Sequence, residues 1–139
     1  MASIHIDIVS AEGDIHHGEA TMVFAPAEEG EVGIAPRHAP LLTRLKPGKV
    51  RVQDVNGEEY AFFVGGGILE VQPHLVTVMA DTALRAKDAD EAAALEAKQR
   101  AEERLNSARG SLDLARAQAE LAAAAAMLQF FKKLRGGHV

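Results

Sequence analysis

Residues 84–95, LRAKDADEAAAL, lie where the sequence changes from one set of amino acids to another. Val, Ile and Thr occur 20 times in residues 1–87 and not once in residues 88–135. All five prolines precede the change, whereas residues 88–135 hold 15 Ala and one Gly. Because β-branched residues favour strands and Ala favours helices, we expect a β domain over residues 1–87 and a helical domain over residues 88–139.

The β domain begins with residues 4–8, IHIDI, whose strict alternation is typical of a half-buried strand. Further short strands, separated by Pro and Gly turns, are predicted at residues 20–25, 31–34, 49–55, 59–64, 68–71 and 76–80. Asn56-Gly57 lies between two of them and predicts a two-residue type I′ hairpin turn. Strands at this spacing indicate an antiparallel β domain, either two-layered or closed into a barrel, and the pattern does not decide between these.

The helical domain has start and stop signals for two helices. Asp88 and Glu91 have the spacing of a capping box, Gly110 is expected just past the end of the first helix, and Ser111 is expected to cap the second. Apolar residues in both recur every three or four positions, as in a coiled-coil seam: Ala94, Ala97, Ala101, Leu105 and Ala108, then Leu114, Ala117, Leu121, Ala124, Leu128 and Phe131. The short connection predicts an antiparallel hairpin. An Ala-rich seam buries little area, so the hairpin is expected to change shape readily, although a static hairpin fits the seam equally well.

Composition excludes several classes of function. The formal net charge is -5, with 7 basic and 12 acidic residues in 1–87 and 8 of each in 88–139, whereas a nucleic-acid binder is expected to be basic. The longest apolar run, residues 121–128, is far shorter than the roughly 20 residues of a membrane helix. We therefore expect contact with a membrane only through a partner. The absence of Cys excludes disulfides and thiolate sites, and residues 1–5 show no targeting signal.

No catalytic or metal constellation is apparent. Residues 65–67, all Gly, lack the Lys-Ser/Thr of a phosphate-binding loop and predict a tight turn or bulge with positive φ. His16-His17 and the pair His5 and Asp7 offer ligand atoms, but no third ligand stands at a recognisable spacing, and adjacent strand residues point to opposite faces. We expect surface histidines, no metal and no cofactor. An enzyme based on His38 lacks a nucleophile or metal partner.

Residues 34–42, IAPRHAPLL, form a different kind of segment. Two prolines fix φ on either side of Arg37 and His38, which suits a rigid loop that presents polar groups to a partner. An ordinary connection between strands is the alternative.

Six segments in order along the chain together resemble the epsilon subunit of bacterial F-type ATP synthase. They are DIVSAE (7–12), GEVGI (30–34), HAPLLT (38–43), KPG (46–48), GGILEVQP (66–73) and VTVMADTA (76–83). The resemblance covers the whole chain. It implies an antiparallel β-sandwich of about ten strands followed by a two-helix hairpin, in a non-catalytic subunit of the central stalk, or rotor.

The resemblance also implies partners and site residues. The sandwich would bind the gamma subunit and rest on the c-ring through Glu31 and His38, coupling proton flow to ATP synthesis at the cytoplasmic face of the bacterial inner membrane. The hairpin would extend toward the catalytic alpha and beta subunits and inhibit ATP hydrolysis. Its basic candidates for meeting an acidic beta segment are Arg100, Arg104, Arg109 and Arg116. For each arginine the alternative is a solvated helix face.

Some members of this family bind ATP on the hairpin through an Ile/Leu-Asp-x-x-Arg-Ala motif. Asp90 and Arg100 match positions of that site, but Ala93 stands where the motif has Arg, and Ala123 and Met127 stand at further basic positions. Charge-assisted bonds to phosphate, usually about 1.5–3 kcal/mol each, are therefore missing. The sequence predicts weak or absent ATP binding.

One alternative function comes from a different class. A free-standing β-domain adaptor whose coiled-coil hairpin recruits an unrelated partner would have the same patterning. Only the six segments argue against it.

Overall fold

The structure, a computed structural model, describes residues 2–86 and 91–135, and only the backbone of residues 133–135. The chain divides into two compact units, Met1–Asp88 and Ala89–Val139. The strands described are β1 (Ile4–Ser10), β2 (Gly13–Ala27), β3 (Gly30–Ile34), β4 (Leu41–Leu45), β5 (Gly48–Asp54), β6 (Glu59–Val64), β7 (Gly67–Gln72), β8 (Leu75–Ala80) and β9 (Ala83–Arg85). Two helices follow, α1 (Glu91–Ser107) and α2 (Gly110–Arg135). The predicted fold class is confirmed, with nine strands described where the resemblance implied about ten.

The long strand β2 organises the sheet. Its first half pairs with β1, and its second half pairs with β5 and with β3. The hydrogen-bonded order is β1-β8-β7-β4-β2-β5-β6-β9, with β3 beside β2. Among these pairs one departs from the antiparallel prediction, because β1 and β8 run parallel. Strands β4 and β9 and the first half of β2 were not predicted from the sequence.

The core lies on one face of most strands, although β6 buries three consecutive residues, Phe62, Phe63 and Val64. Ile4, Ile6 and Ile8 have no exposed surface, as their alternation predicted. They belong to one cluster with apolar residues of the other strands, including Val23, Val52, Phe62, Leu69, Val76 and Val78. His5, Asp7 and Val9 alternate with the buried isoleucines and therefore lie on the opposite face of β1, which we call the outer face.

The predicted hairpin joins β5 and β6, but its turn is not type I′. That turn needs positive φ at both central residues, whereas Gly57 has φ of +84° and Asn56 is not in that region. The Gly57 amide donates to the Asp54 carbonyl at 3.2 Å, and the Asp54 amide donates to the Glu58 carbonyl at 2.8 Å. The Asp54 carboxylate also accepts from the Asn56 and Glu58 amides. These bonds form a three-residue loop with Gly57 in the left-handed position.

The Gly-rich segment before β7 is a turn, as predicted. Gly66 and Gly67 have φ of +111° and +140°. A Cβ on Gly67 would lie 2.2 Å from the backbone oxygen of Met79 in the paired strand β8. Because the segment leads into a strand and not into a helix, it cannot act as a phosphate-binding loop.

The helix boundaries differ from those predicted. The proposed cap Asp88 lies outside the described residues. α1 ends at Ser107, three residues before Gly110, and the Ser107 hydroxyl donates to the Glu103 carbonyl at 3.1 Å within its last turn. α2 begins at Gly110, whose φ is +83°, so Ser111 lies inside its first turn and is not the cap residue.

The helices form the predicted antiparallel hairpin. Arg104 near the end of α1 bonds Glu120 in the first half of α2, whereas Leu95 near the start of α1 lines a cavity with Leu128 near the end of α2. The most buried seam positions are Ala94, Ala101, Ala117, Ala124 and Phe131. Leu114 was predicted in the seam but is 42% exposed. Over the described residues, neither helix has an apolar stretch long enough to span a membrane.

The loop between β3 and β4 contains a strained turn. The His38 amide donates to the Ala35 carbonyl at 3.1 Å, with Pro36 and Arg37 between them. Arg37 has φ of +65°, which gives the arrangement of a type II turn with Arg at the position usually held by Gly. The Arg37 amide donates to the Pro73 carbonyl at 3.0 Å, fixing this turn to the β7–β8 connection. The rigid loop predicted from its prolines is therefore also held by backbone hydrogen bonds.

We expect Arg37→Gly to stabilise the β domain. A residue with a Cβ in the left-handed region destabilises the folded state by about 1–2 kcal/mol, which Gly would relieve. Because Gly also gives the unfolded chain more freedom, about 0.5–1 kcal/mol of that gain is lost. The expected net gain is about 0.5–1 kcal/mol in the free energy of unfolding, measured by urea titration of the fluorescence of Tyr60, the one Tyr in the chain. Arg37→Ala removes the guanidinium but keeps the Cβ and should give no gain. Equal effects of the two substitutions would contradict the strained turn.

Candidate functional site

Glu31 and His38 lie at the two ends of β3 and are not brought together. From Glu31 to Ile34 the strand spans about 10 Å at about 3.3 Å per residue, and His38 follows in the loop beyond. The Nδ1 atom of His38 lies 2.7 Å from the Ala39 carbonyl oxygen, so this nitrogen carries the hydrogen. Glu31 is exposed and His38 is partly buried. A partner that touches both must cover the whole length of β3.

Arg51 on β5 is the basic residue nearest to Glu31. Its guanidinium lies 3.7 Å from Glu31 and 3.1 Å from Glu59, and it stacks 4.2 Å from the centre of the Phe24 ring. The planar guanidinium suits this combination of stacking and carboxylate pairing. Glu31 is therefore about half exposed, with the guanidinium of Arg51 beside its carboxylate.

An apolar stripe crosses the outer face of β4, β7, β8 and β1. Leu42 is 70% exposed, Ile68 43% and Met79 41%. Ile68 pairs with Met79, and Met79 pairs with the half-buried Val9, while Leu42 lies diagonal to Ile68. We call Leu42, Ile68, Met79 and Val9 the apolar stripe. Contiguous exposed apolar side chains of this kind mark interaction surfaces more often than isolated ones do.

The four arginines predicted on the hairpin have different surroundings. Arg104 donates to the Glu120 carboxylate at 2.5 Å across the two helices. Arg100 lies 3.9 Å from Glu96 on the same helix. Arg109 lies exposed in the connection between the helices. Arg116 and Arg104 line an open cavity of about 310 Å³ at this end of the hairpin, together with Ser107, Ala108, Asp113, Ala117 and Glu120.

The residues predicted to matter for ATP remain untested by the geometry. Asp90 lies outside the described residues. Arg100 is exposed on α1, and Ala93 lies two turns before it on the same helix. A methyl group at position 93 cannot pair with a phosphate. Weak or absent ATP binding therefore stays a prediction.

Histidines and carboxylates form a cluster on the outer face of β1 and β2 that the sequence did not predict. His17 pairs with Asp7 across the two strands, and His5 pairs with Glu19. The spacing along the chain offers no third ligand beside His5 and Asp7, but strand pairing supplies His17. Alternation on β1 is the signal that hints at the cluster, because it places His5 and Asp7 on one face. His16 points the other way, as predicted.

Hydrogen bonds in this cluster favour the charged forms of its members. The hydrogen bond to Glu19 raises the pKa of His5, and the one to Asp7 raises the pKa of His17. In return, the hydrogen bond from His17 lowers the pKa of Asp7, and the one from His5 lowers that of Glu19. Burial instead lowers the pKa of His16, whose ring contacts aromatic side chains.

Comparison with known proteins agrees with the fold and with the six segments. Residues 3–86 match the model of the ATP synthase delta/epsilon chain β-sandwich domain, and residues 82–132 match that of its long α-helix domain. The chain is 64% identical over 135 residues to the ATP synthase epsilon chain of Alkalilimnicola ehrlichii, covering 97% of this chain and 96% of that one. It is 64% identical over 133 residues to the epsilon chain of Nitrosococcus oceani, covering 96% and 95%.

Two solved structures share the fold at low identity. A chain of the Euglena gracilis mitochondrial ATP synthase OSCP/F1/c-ring structure has a TM-score of 0.80 at 17% identity, covering 94% of this chain and 82% of that one. A chain of the Tetrahymena thermophila mitochondrial ATP synthase central stalk and c-ring structure has a TM-score of 0.65 at 12% identity, covering 91% and 95%. With both domain models and close relatives matched over nearly the full length, the chain belongs to the ATP synthase epsilon chain family.

Proposed function

We propose that this chain is a non-catalytic rotor subunit in the central stalk of a proton-translocating F-type ATP synthase, where it couples proton flow to ATP synthesis. The observation that carries the proposal is the 64% identity to epsilon chains over 97% of the sequence, which includes both units. The proposed location is the cytoplasmic face of the bacterial inner membrane, reached through partner subunits.

The gamma subunit is the proposed partner of the apolar stripe. A stalk interface must survive repeated rotation under load, which favours a well-packed apolar centre over rim charges. Leu42, Ile68 and Met79 provide such a centre, and Arg44 beside Ile68 and Glu70 beside Leu42 provide a polar border. The stripe lies on four paired strands, so the backbone beneath it is already ordered before binding.

The c-ring is the proposed partner of Glu31 and His38. Glu31 lies on β3 and His38 in the loop that follows it, and the bonded turn at Arg37 holds His38 in place. A stiff loop loses little conformational entropy when it docks, so modest polar contacts can suffice for binding. Arg51 keeps Glu31 from being an isolated charge at such a contact.

The hairpin is the proposed inhibitory element, reaching the alpha and beta subunits when it extends. Its basic candidates are Arg100, Arg104, Arg109 and Arg116. Arg104 is engaged with Glu120 in the folded hairpin, so extension would release a cation for an acidic partner. The pair is exposed and contributes about 0–1 kcal/mol, which makes the exchange inexpensive.

We expect removal of the hairpin to raise ATP hydrolysis. A chain that ends at Lys87 should still co-purify with gamma, and the catalytic complex that carries it should hydrolyse ATP several-fold faster than the complex with the full chain. A second variant keeps the hairpin but changes Arg100, Arg104, Arg109 and Arg116 to Gln, and it should reproduce part of the increase. If the truncated chain still binds gamma but ATP hydrolysis is unchanged, the inhibitory role is contradicted and the stalk role is not.

We expect a charge in the apolar stripe to weaken binding to gamma. Burying an unpaired carboxylate in an apolar interface costs more than about 1.4 kcal/mol, so Ile68→Asp should raise the dissociation constant for gamma at least 10-fold. Val55→Asp is the matched control, because Val55 is also exposed but lies in the β5–β6 turn. Equal weakening by both substitutions, measured by surface plasmon resonance, would contradict docking through the stripe.

We expect Glu31→Ala and His38→Ala each to weaken attachment to the membrane sector. Loss of one polar contact of about 0.5–1.5 kcal/mol corresponds to about 2- to 12-fold in affinity. The measurement is a titration of catalytic complex onto vesicles that contain the c-ring, with hydrolysis by the detached complex as a readout that should not change. Glu58→Ala in the β5–β6 turn serves as the control and should bind like the unsubstituted chain.

A further inference from the structure

Five polar side chains on the outer face of β1 and β2 form one continuous row. Glu19 lies 2.7 Å from Nδ1 of His5, and Nε2 of His5 lies 2.8 Å from Oδ1 of Asp7. The same Asp7 oxygen lies 2.7 Å from Nδ1 of His17, whose Nε2 lies 3.2 Å from Asp14. The row therefore alternates carboxylate and imidazole from one end to the other.

The three central members offer a ligand set for a transition metal. One ring nitrogen each of His5 and His17 and an oxygen of Asp7 all lie within 4.8 Å of one another. Two imidazoles and one carboxylate suit Zn²⁺ and similar divalent ions, whereas Ca²⁺ and Mg²⁺ prefer oxygen ligands alone. Ligand atoms at about 2.0 Å from a tetrahedral Zn²⁺ are about 3.3 Å from one another. The distances from the Asp7 oxygen to the two histidine nitrogens must therefore lengthen by about half an ångström.

That opening requires side-chain movement only. The side chains of His5 and His17 are 41% and 48% exposed, and Asp7 is 28% exposed, so each can rotate without disturbing the core. The strands beneath them are held by the β1–β2 pairing, in which Asp7 faces His17 directly. The backbone thus presents the three ligands at fixed positions.

Glu19 and Asp14, the carboxylates at the two ends of the row, are placed to orient the two histidines for metal binding. A metal-binding histidine donates its other ring N–H to a carboxylate or carbonyl, which fixes the tautomer and the ring orientation. Glu19 occupies that position for His5, and Asp14 occupies it for His17. With these partners, Nε2 of His5 and Nδ1 of His17 are the nitrogens that would exchange their hydrogen bonds to Asp7, and the protons in them, for an ion.

We propose that His5, Asp7 and His17 form a Zn²⁺ site that joins β1 to β2, with Glu19 and Asp14 orienting the two imidazoles and water completing the coordination. The site is separate from the stalk function proposed above and does not depend on it. Because His17 comes from the partner strand, the bound ion links two strands at their outer face.

The test is a calorimetric titration of the full chain with Zn²⁺ alone. We expect one ion per chain at micromolar affinity, at least a 10-fold loss with His17→Asn, and a 10- to 100-fold loss with Glu19→Gln, the range found for orienting partners. His38→Asn also removes one histidine, but from the β3–β4 loop, and should bind Zn²⁺ like the unsubstituted chain. These changes lie at exposed or partly exposed positions, and a circular dichroism spectrum confirms the fold of each variant.

Histidine ring nitrogens in NMR spectra provide the second readout. Addition of Zn²⁺ should shift the ring signals of His5 and His17 and leave those of His16, on the opposite face, in place. The proposal is overturned by affinity weaker than millimolar, by binding that survives His17→Asn, or by equal losses in His17→Asn and His38→Asn.

Discussion

The fold depends on the hydrogen-bonding of one strand, β2. With 15 residues, β2 is longer than each of the strands beside it, so no single strand can pair with all of its backbone groups. A buried backbone group without a hydrogen-bond partner destabilises the fold. β2 meets this requirement by pairing with β1 along its first half and with β3 and β5 along its second. A shift of one residue in any of these registers would expose the buried side chains, so the positions of the neighbouring strands are tightly specified.

The same register decides what appears on the outer face. Burial of Ile4, Ile6 and Ile8 forces His5, Asp7 and Val9 outward. Pairing with β8 sets Val9 beside Met79, and pairing with β2 sets Asp7 beside His17. The apolar stripe and the histidine cluster are therefore neighbours on β1, and both follow from core packing.

Sequence patterns predicted the features that depend on residues close together in the chain. The division into a strand-rich and a helical part, the alternation in β1 and the Ala seam follow from propensity and periodicity. The β5–β6 turn differed because the Asp54 carboxylate accepts two backbone amides and favours a three-residue loop over the two-residue turn that Asn56-Gly57 suggested. The histidine cluster escaped prediction because the first half of β2 was not predicted as a strand, so the β1–β2 hairpin that pairs Asp7 with His17 was not foreseen.

The hairpin has little apolar burial along most of its seam, which suits the inhibitory role proposed for it. Burial contributes about 0.8 kcal/mol per methyl, so its four buried alanines supply about 3 kcal/mol, whereas four leucines would supply about 6–12 kcal/mol. The buried Phe131 of the same seam adds about 1.5–3 kcal/mol. Apolar burial is instead concentrated near the end of α2, at Phe130 and Phe131. The end near Gly110, where Leu112 and Leu114 are exposed, therefore has the least apolar burial.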